Sequence, residues 1–144
     1  MKEIVEFTTS IEISASSEKV WHCFVDTSKY PQWNPFIKAI WGRFALNKKF
    51  YEIGFVANRV FLPFPMTVIS FRENEEITYE GSLPGFFGHH VYRLEKKDLN
   101  ITVFSHAARF HGFWVRRSKA HIEKDVKRVH EEMNLALKKR VEGS

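Results

Sequence analysis

Apolar residues near the N-terminus follow the spacing of a strand and then that of a helix. Ile11 and Ile13 alternate with polar residues, as in a half-buried strand. Serines follow directly, and their side-chain oxygens can cap the N-terminus of a helix. The next apolar residues share one face of that predicted helix: Val20, Trp21, Phe24 and Val25. Two prolines in the segment 30–36 prevent a long helix there, so a second, short helical element is expected.

From residue 36 to residue 112 the pattern is almost entirely that of strands. Short alternations of apolar and polar residues are interrupted by turn-forming stretches, which predicts six strands joined by hairpin-like links. The period then changes to three or four residues, which is typical of a long amphipathic helix. The positions that carry this period are Ile122, Val126, Val129, Met133, Leu137 and Val141. A sheet curled around that helix would bury most of the apolar surface within one domain, residues 1–144.

Two stretches of the chain carry a specific resemblance to a known superfamily. The first is residues 11–36, IEISASSEKVWHCFVDTSKYPQWNPF, and the second is residues 79–112. The second stretch contains Tyr79-Glu80-Gly81, then Leu83-Pro84-Gly85-Phe86-Phe87-Gly88, then His90, Tyr92, Leu94, Glu95, Thr102, Phe104, His106, Phe110 and Gly112. The chain resembles the SRPBCC superfamily of START-like, helix-grip domains, and within it the polyketide cyclase/dehydrase branch.

The resemblance implies an α+β helix-grip fold with an internal cavity. About seven antiparallel strands would form a curved sheet around the long C-terminal helix, with two short helices after the first strand. In this superfamily the cavity serves lipid carriers, hormone receptors and aromatic polyketide cyclases, so the fold alone does not choose among them. The branch commonly has a glutamate at the positions of His89 and Ala108. Acid-base roles of those glutamates therefore cannot be carried over.

Composition indicates a chain with much apolar surface to bury. Hydrophobic residues make up 44% of the 144 residues, and 14 of the aromatic residues are phenylalanine, which has no polar group. No apolar run approaches the ~20 residues that cross a bilayer, and the N-terminus is charged and strand-like rather than signal-like. The single Cys23 rules out an internal disulfide. We expect a cytoplasmic protein.

The formal net charge of +5 is concentrated on the C-terminal segment. Residues 113–144 hold nine Lys or Arg against five Asp or Glu, and the two signs are interleaved. This arrangement is typical of a solvated outer helix face, with transient membrane contact as the alternative. Nucleic acid is not an expected partner, because the aromatic residues do not alternate with the basic ones as a stacking platform would require.

Strand parity predicts which polar side chains meet inside the sheet. Residues two apart share a face, so His90 and Tyr92 face inward on one strand and His106 on the next. A hairpin centred near Asp98 would place His90 opposite His106 or one pair away, and Tyr92 near Phe104 or His106. Aromatic residues near strand ends would form the mouth of the cavity. The predicted ligand-binding residues are Trp33, Phe36, Phe55, Tyr79, His90, Tyr92, Phe104, His106, Phe110, Trp114, Val126 and Met133.

Other kinds of site find little support. Adjacent His89 and His90 point to opposite faces of a strand, and His121 and His130 lie about half a turn out of phase on a helix, so no local metal site is predicted. Cys23 has no recognisable base partner and is not expected to be a nucleophile. Motifs for covalent hydrolysis, phosphate or dinucleotide binding are missing, so no cofactor is expected.

Three functions remain open at this stage. The first is binding or transport of a hydrophobic small molecule, such as a lipid or an aromatic polyketide-like compound, oriented by Tyr79, His90, Tyr92 and His106. The second is an enzyme of cyclase or dehydrase type that uses the cavity His and Tyr side chains. No pair of inward carboxylates is found, so the balance favours binding. The third is a protein-interaction module similar to chaperone-ATPase activators. The oligomeric state is left open.

Overall fold

The computed structural model describes residues 4–56, 59–60 and 63–144. The strands are β1 (Ile4–Ile13), β2 (Ile37–Trp41), β3 (Lys49–Val56), β4 (Arg59–Val60), β5 (Phe64–Arg72), β6 (Glu76–Leu83), β7 (Phe86–Asp98) and β8 (Ile101–His111). The helices are α1 (Ser17–Val25), a 3₁₀ turn (Thr27–Lys29), α2 (Tyr30–Trp33), α3 (Phe113–Arg117), α4 (Lys119–His121), a π-helical turn (Ile122–Val126) and α5 (Lys127–Glu142).

Seven of the strands form one curled antiparallel sheet in the order β1-β8-β7-β6-β5-β3-β2, and β4 pairs with β3. Strand β1 pairs with β8 along its whole length, from Ile4 opposite His111 to Ile13 opposite Thr102. The sheet wraps around the C-terminal helix, and the short helices follow the first strand. The predicted helix-grip fold is confirmed.

Local capping explains where the first helices begin and end. The Ser16 hydroxyl accepts a hydrogen bond from the Lys19 backbone N–H at 3.2 Å, which caps α1 as the serine-rich stretch predicts. At the end of α2, the buried Asn34 side chain accepts bonds from the backbone N–H groups of Phe36 and Ile37, at 2.9 and 2.8 Å. These bonds reverse the chain and direct it into β2.

The long closing helix is confirmed, with one difference at its start. The turn from Ile122 to Val126 is π-helical and wider than the α-helix that continues from it. The buried residues of α5 recur at three or four positions and face the sheet: Val129, His130, Met133, Asn134, Leu137 and Val141. No helix among the described residues is long and apolar enough to cross a membrane.

The sequence pattern assigns residues 62–65 and 84–88 to turns, and parts of both stretches belong to strands. Phe64 begins β5 and Phe86 begins β7, so Pro84 and Gly85 alone connect β6 to β7. Pro65 is the second residue of β5, and a proline is tolerated near the start of a strand because few ladder bonds are lost there. Leu62, which belongs to the same sequence stretch, lies outside the described residues.

The buried apolar residues form two separate clusters. The larger one lies between α1, the middle of the sheet and the C-terminal half of α5, and it includes Phe24, Phe104 and Leu137. The smaller one surrounds Phe110 and Ile122, near the other end of the sheet. Because α5 does not fill the space between them, the fold leaves room for a cavity.

Candidate functional site

A cavity of about 410 Å³ lies between the two apolar clusters. Its wall takes Ile37 and Met66 from the neighbourhood of the larger cluster and Phe110 and Ile122 from the smaller one. The described residues that line it are Phe36, Ile37, Glu52, Gly54, Phe64, Met66, Leu83, Pro84, Phe86, Gly88, His90, Phe110, Trp114, Ile122, Val126 and His130. The wall is mostly apolar, and its ionisable groups are one carboxyl and two imidazoles.

The structure brings five of the predicted ligand-binding residues to this wall: Phe36, His90, Phe110, Trp114 and Val126. A second group lies behind the wall in the packed core: Tyr79, Tyr92, Phe104, His106 and Met133. Each member of this second group is at most 2% exposed. These residues can therefore affect a ligand only through the side chains that line the cavity.

Two predicted residues fall elsewhere. Trp33 borders a separate surface pocket with Cys23 and Arg140, and its ring packs on Tyr30 at 5.0 Å between centroids. Trp33 is the last residue of α2, before the Asn34 turn, whereas the first residue that lines the cavity, Phe36, comes after that turn. The side chain of Phe55 lies outside the described part of β3.

Three buried histidines meet at one end of the cavity. The register pairs Tyr92 with His106 and His90 with Ala108, so His90 lies one pair from His106, as strand parity predicts. His90 Nδ1 and His106 Nε2 are 2.9 Å apart, in hydrogen-bonding contact. His130 joins from α5, with its ring centroid 4.3 Å from that of His106. Among the described residues, no partner is found for Nδ1 of His106 or of His130.

His90 presents its free nitrogen to the cavity. A Cβ added at Gly88, which lines the cavity, would lie 3.4 Å from His90 Nε2 and 3.5 Å from the Phe110 ring. His90 therefore uses Nδ1 to contact His106 and directs Nε2 toward the wall. Together with His130, it offers imidazole nitrogens to a polar atom of a ligand at this end.

His130 is a residue that the sequence analysis missed. The helical period was assigned from apolar residues, and His130 was weighed only against His121 as a metal ligand. Position 130 nevertheless lies four residues after Val126 and three before Met133, which places it on the same helix face. Phe7 and Phe36 cover its ring at 5.4 and 5.5 Å between centroids.

Glu52 is the second missed residue, and among the described residues of the cavity wall it is a single carboxyl group rather than one of an inward pair. It lies on β3 between Phe50 and Gly54, which share its inward face. The Tyr79 hydroxyl donates a hydrogen bond to Glu52 Oε1 at 2.8 Å. The Tyr92 hydroxyl lies 3.0 Å from that of Tyr79. A hydroxyl carries one hydrogen, so Tyr92 donates to Tyr79 and Tyr79 to Glu52.

Burial shifts the pKa of every ionisable group in the site. Removal from water raises the pKa of Glu52 to about 7, against the lowering effect of the Tyr79 hydrogen bond. Burial lowers the pKa of His130 to about 3. The pKa values of His90 and His106 are lowered well below 6.5 by burial and by the neighbouring imidazoles. At neutral pH the histidines are uncharged and Glu52 is close to half ionised.

The β6–β7 turn and α3 form an exposed rim of the cavity. Trp114 and Leu83 lie on its rim and are 57% and 40% exposed. The Trp114 backbone N–H donates to the Gly85 carbonyl at 2.9 Å, which ties α3 to the turn. Exposed apolar side chains at an opening suit the passage of apolar compounds.

Gly112 lets the start of α3 approach the Gly85 carbonyl closely. Replacing Gly112 with Ala is expected to destabilise the protein by about 1–3 kcal/mol. Gly112 has φ +123°, and an added Cβ would collide with the Gly85 carbonyl oxygen. Urea unfolding measures the loss. Gly88→Ala is the matched control, because its Cβ would make only ordinary contacts of 3.4 Å or more. Equal stability of the two variants would contradict the role given to Gly112.

Neither a metal centre nor a reactive thiol is indicated. Within residues 4–56, 59–60 and 63–144, no group of three or more His, Cys, Asp or Glu side chains is arranged to hold a metal ion. Burial raises the pKa of the Cys23 thiol to about 11, so the thiolate is scarce at neutral pH. The carboxyl, tyrosine and imidazole groups are left as the chemistry of the cavity.

A family model described as polyketide cyclase / dehydrase and lipid transport matches residues 5–142. The chain belongs to this family. The match spans the sheet, the cavity wall and α5, so the family's cavity is the one described above. No curated protein sequence matches the chain.

Solved structures of the START superfamily share the fold. A START superfamily protein from Mycobacterium smegmatis is 21% identical with a TM-score of 0.80, over 96% of this chain and 97% of its own. The ZhuI aromatase/cyclase from Streptomyces sp. R1128 is 13% identical with a TM-score of 0.82, over 97% and 94%. A Staphylococcus aureus protein of unknown function is 14% identical with a TM-score of 0.76, over 99% and 96%.

Proposed function

We propose that the protein binds, and in doing so can carry, a hydrophobic small molecule in the cavity between its sheet and α5. The observation that supports this is a cavity of about 410 Å³ whose wall is mostly apolar and carries one carboxyl and two imidazole groups. Burial of apolar surface favours binding by roughly 25 cal/mol per Å². The cavity imidazoles and Glu52 orient the ligand.

The choice of binding follows from how the polar groups are distributed. Glu52, His90 and His130 line the cavity from β3, β7 and α5, and the rest of the described wall is mostly apolar. A ligand with an apolar body and polar ends matches this layout. Exposed Trp114 and Leu83 at the rim favour entry of such a ligand. Transient contact of this rim with a membrane stays a prediction.

A cavity-filling variant tests the proposal. Val126 lines the cavity from the π-helical turn, and Val126→Phe would occupy part of the volume. We expect at least about a tenfold loss of affinity for the neutral fluorescent probe phenylnaphthylamine, because the probe and the new ring compete for the same space. Native mass spectrometry of freshly purified protein is expected to show a co-purified apolar compound that Val126→Phe lacks.

Leu135→Phe is the control for this experiment. Leu135 lies on the exposed face of α5 and is 45% exposed, so the added ring leaves the cavity unchanged. Equal probe affinity for the wild type and both variants would overturn the proposal. Failure of the wild type to bind any apolar probe would do the same.

One observation favours an enzyme of cyclase or dehydrase type as a second candidate. Glu52 has a pKa of about 7 and a hydroxyl chain behind it, so it can exchange a proton near neutral pH. Turnover of a poly-β-keto compound by the wild type, and its loss in Glu52→Gln, would support this candidate. Binding of the same compound without turnover would leave binding as the function.

A further inference from the structure

We infer that the ligand carries a protonated amine, and that this cation pairs with the Glu52 carboxylate inside the cavity. The inference rests on the proposed function and names the chemical class of the ligand. Among the side chains that the structure describes, Glu52 is the one acidic residue that lines the cavity, and none of the lining residues is a Lys or Arg. A carboxylate enclosed by apolar walls is stable only when a cation or hydrogen-bond donors accompany it.

The hydrogen bond from Tyr79 stabilises the ionised form of Glu52 and opposes the effect of burial on its pKa. Tyr92 donates to Tyr79 and Tyr79 donates to Glu52 Oε1, at 3.0 and 2.8 Å. Donors directed at a carboxyl oxygen stabilise its ionised form. A ligand oxygen that needs a hydrogen-bond donor can use the imidazoles of His90 and His130 in the cavity wall. A cationic ligand group completes the set of partners at Glu52.

Aromatic rings next to Glu52 also suit a cation. Phe64 is the register partner of Glu52 across β3 and β5, and its ring packs on Phe86 at 5.6 Å between centroids. Both rings line the cavity. An ammonium group held near a ring face gains from the negative charge density above the ring. The wall therefore offers one carboxylate and two rings to the same end of a ligand.

Among the described titratable groups of the site, only Glu52 is expected to change its protonation near neutral pH, so its ionisation should control amine binding. Tyr79 and Tyr92 have pKa values raised well above 10 by burial, so they stay protonated. The pKa values of His90 and His130 across the cavity are lowered by burial, so these rings stay neutral above pH 6. The Tyr30 hydroxyl, also deeply buried, has a raised pKa as well.

Three probes with one apolar body test the inference: naphthylmethylamine, naphthylmethanol and naphthoic acid. The wild type is expected to bind the amine about tenfold or more tighter than the alcohol at pH 8, since a charge-assisted bond is stronger than a neutral one. Affinity for the amine should rise as the pH increases through about 7, because Glu52 ionises there. Affinity for the alcohol should stay level or fall over the same range.

Glu52→Gln keeps the shape of the side chain and removes its charge. We expect it to lose about tenfold in affinity for the amine and to change affinity for the alcohol by about twofold at most. Glu80→Gln is the matched control, because Glu80 lies on the outer face of β6 and pairs with His89 at 2.9 Å. It should bind both probes as the wild type does.

Proton release gives a second readout that needs no stable Glu52 variant. Amine binding at pH 6.5 should release a proton from Glu52, which isothermal titration calorimetry detects as a heat that depends on the buffer. The hydrogen bond from Tyr79 favours the ionised form of Glu52, so its loss in Tyr79→Phe should raise the pKa of Glu52. The pH midpoint of amine binding should therefore move upward. A midpoint that stays in place would count against the chain of donors.

The outcomes separate the inference from the function beneath it. If the alcohol binds as tightly as the amine at every pH, or Glu52→Gln binds the amine normally, the inference fails while apolar binding stands. Tighter binding of naphthoic acid than of the amine would also overturn it. If none of the three probes binds, the proposed function fails as well.

Discussion

Unfolding of this protein is expected to take up protons as the pH falls from 6.5 to 4.5, so the free energy of unfolding should decrease over this range. The source is the cluster of His90, His106 and His130. Their pKa values are lowered in the folded state by burial, and that of His130 falls to about 3. Unfolded, each titrates near 6.5.

The sign follows from which state binds more protons. As the pH falls through 6.5, these three histidines gain protons in the unfolded chain more readily than in the folded cluster, so stability is lost. Glu52 acts in the opposite direction. Its folded pKa is about 7 and its usual value is 4.5, so the folded protein holds one proton that the unfolded chain lacks. Three histidines act against one carboxyl group, so the expected net effect of lowering the pH is a loss of stability.

Urea unfolding at a series of pH values measures this proton number from the slope of stability against pH. His130→Phe should reduce it by about one proton, and the ring of Phe7 at 5.4 Å offers an apolar neighbour for the substitution. His22→Gln is the control, because His22 is exposed on α1 and its replacement should leave the slope unchanged. Equal stability at pH 4.5 and 6.5 would show that the cluster is not buried and neutral.

Other shifted carboxyl groups act outside this window. The pKa of Glu76 falls to about 2, because the hydrogen bonds from Arg72 and Arg93 outweigh the raising effect of burial. Its contribution to stability is present above its usual value of 4.5 and is lost only as the pH falls below that value. The loss expected between pH 6.5 and 4.5 is therefore assigned to the histidine cluster.

The helix-grip fold was implied by the resemblance to the SRPBCC superfamily, and two short-range rules predicted which side chains face inward. Strand parity placed His90, Tyr92 and His106 on one face, and the register of β7 with β8 agrees. The helical period placed Met133 and Leu137 on the buried face of α5. Both rules use positions within one element or one hairpin, so they can be applied without knowing how the rest of the chain folds.

Glu52 could not be placed because its partner is not a sequence neighbour or a strand neighbour. Tyr79 lies on β6, and β5 separates that strand from β3. The Tyr79 hydroxyl reaches Glu52 because the sheet is curled, and curvature is not visible in the residue pattern. Parity alone would have put Glu52 on the face of Phe50, which is the one signal that the sequence contained.

The same argument explains the different fates of Trp33 and Phe36. Both belong to one aromatic segment and were expected to face the cavity. The buried Asn34 side chain reverses the chain between them, so Phe36 continues onto the cavity wall and Trp33 packs on Tyr30 at a separate surface pocket. A reversal of this kind depends on two hydrogen bonds at one residue.

The second large effect is expected at the centre of the closing helix, where Leu137→Ala should lower the free energy of unfolding by about 2–5 kcal/mol. Leu137 is 1% exposed and belongs to the larger apolar cluster, so its removal leaves a void that the rigid sheet cannot fill.

Leu135→Ala makes the same chemical change two residues earlier on α5, with the same change in helix propensity. Leu135 is 45% exposed, so we expect its loss to cost about 0.5 kcal/mol or less. Urea unfolding of both variants at pH 7 isolates the contribution of packing against the sheet. Because the cavity lies beside this helix, Leu137→Ala should also weaken probe binding, whereas Leu135→Ala should not. Similar stability losses in the two variants would contradict the claim that packing of α5 against the sheet stabilises the fold.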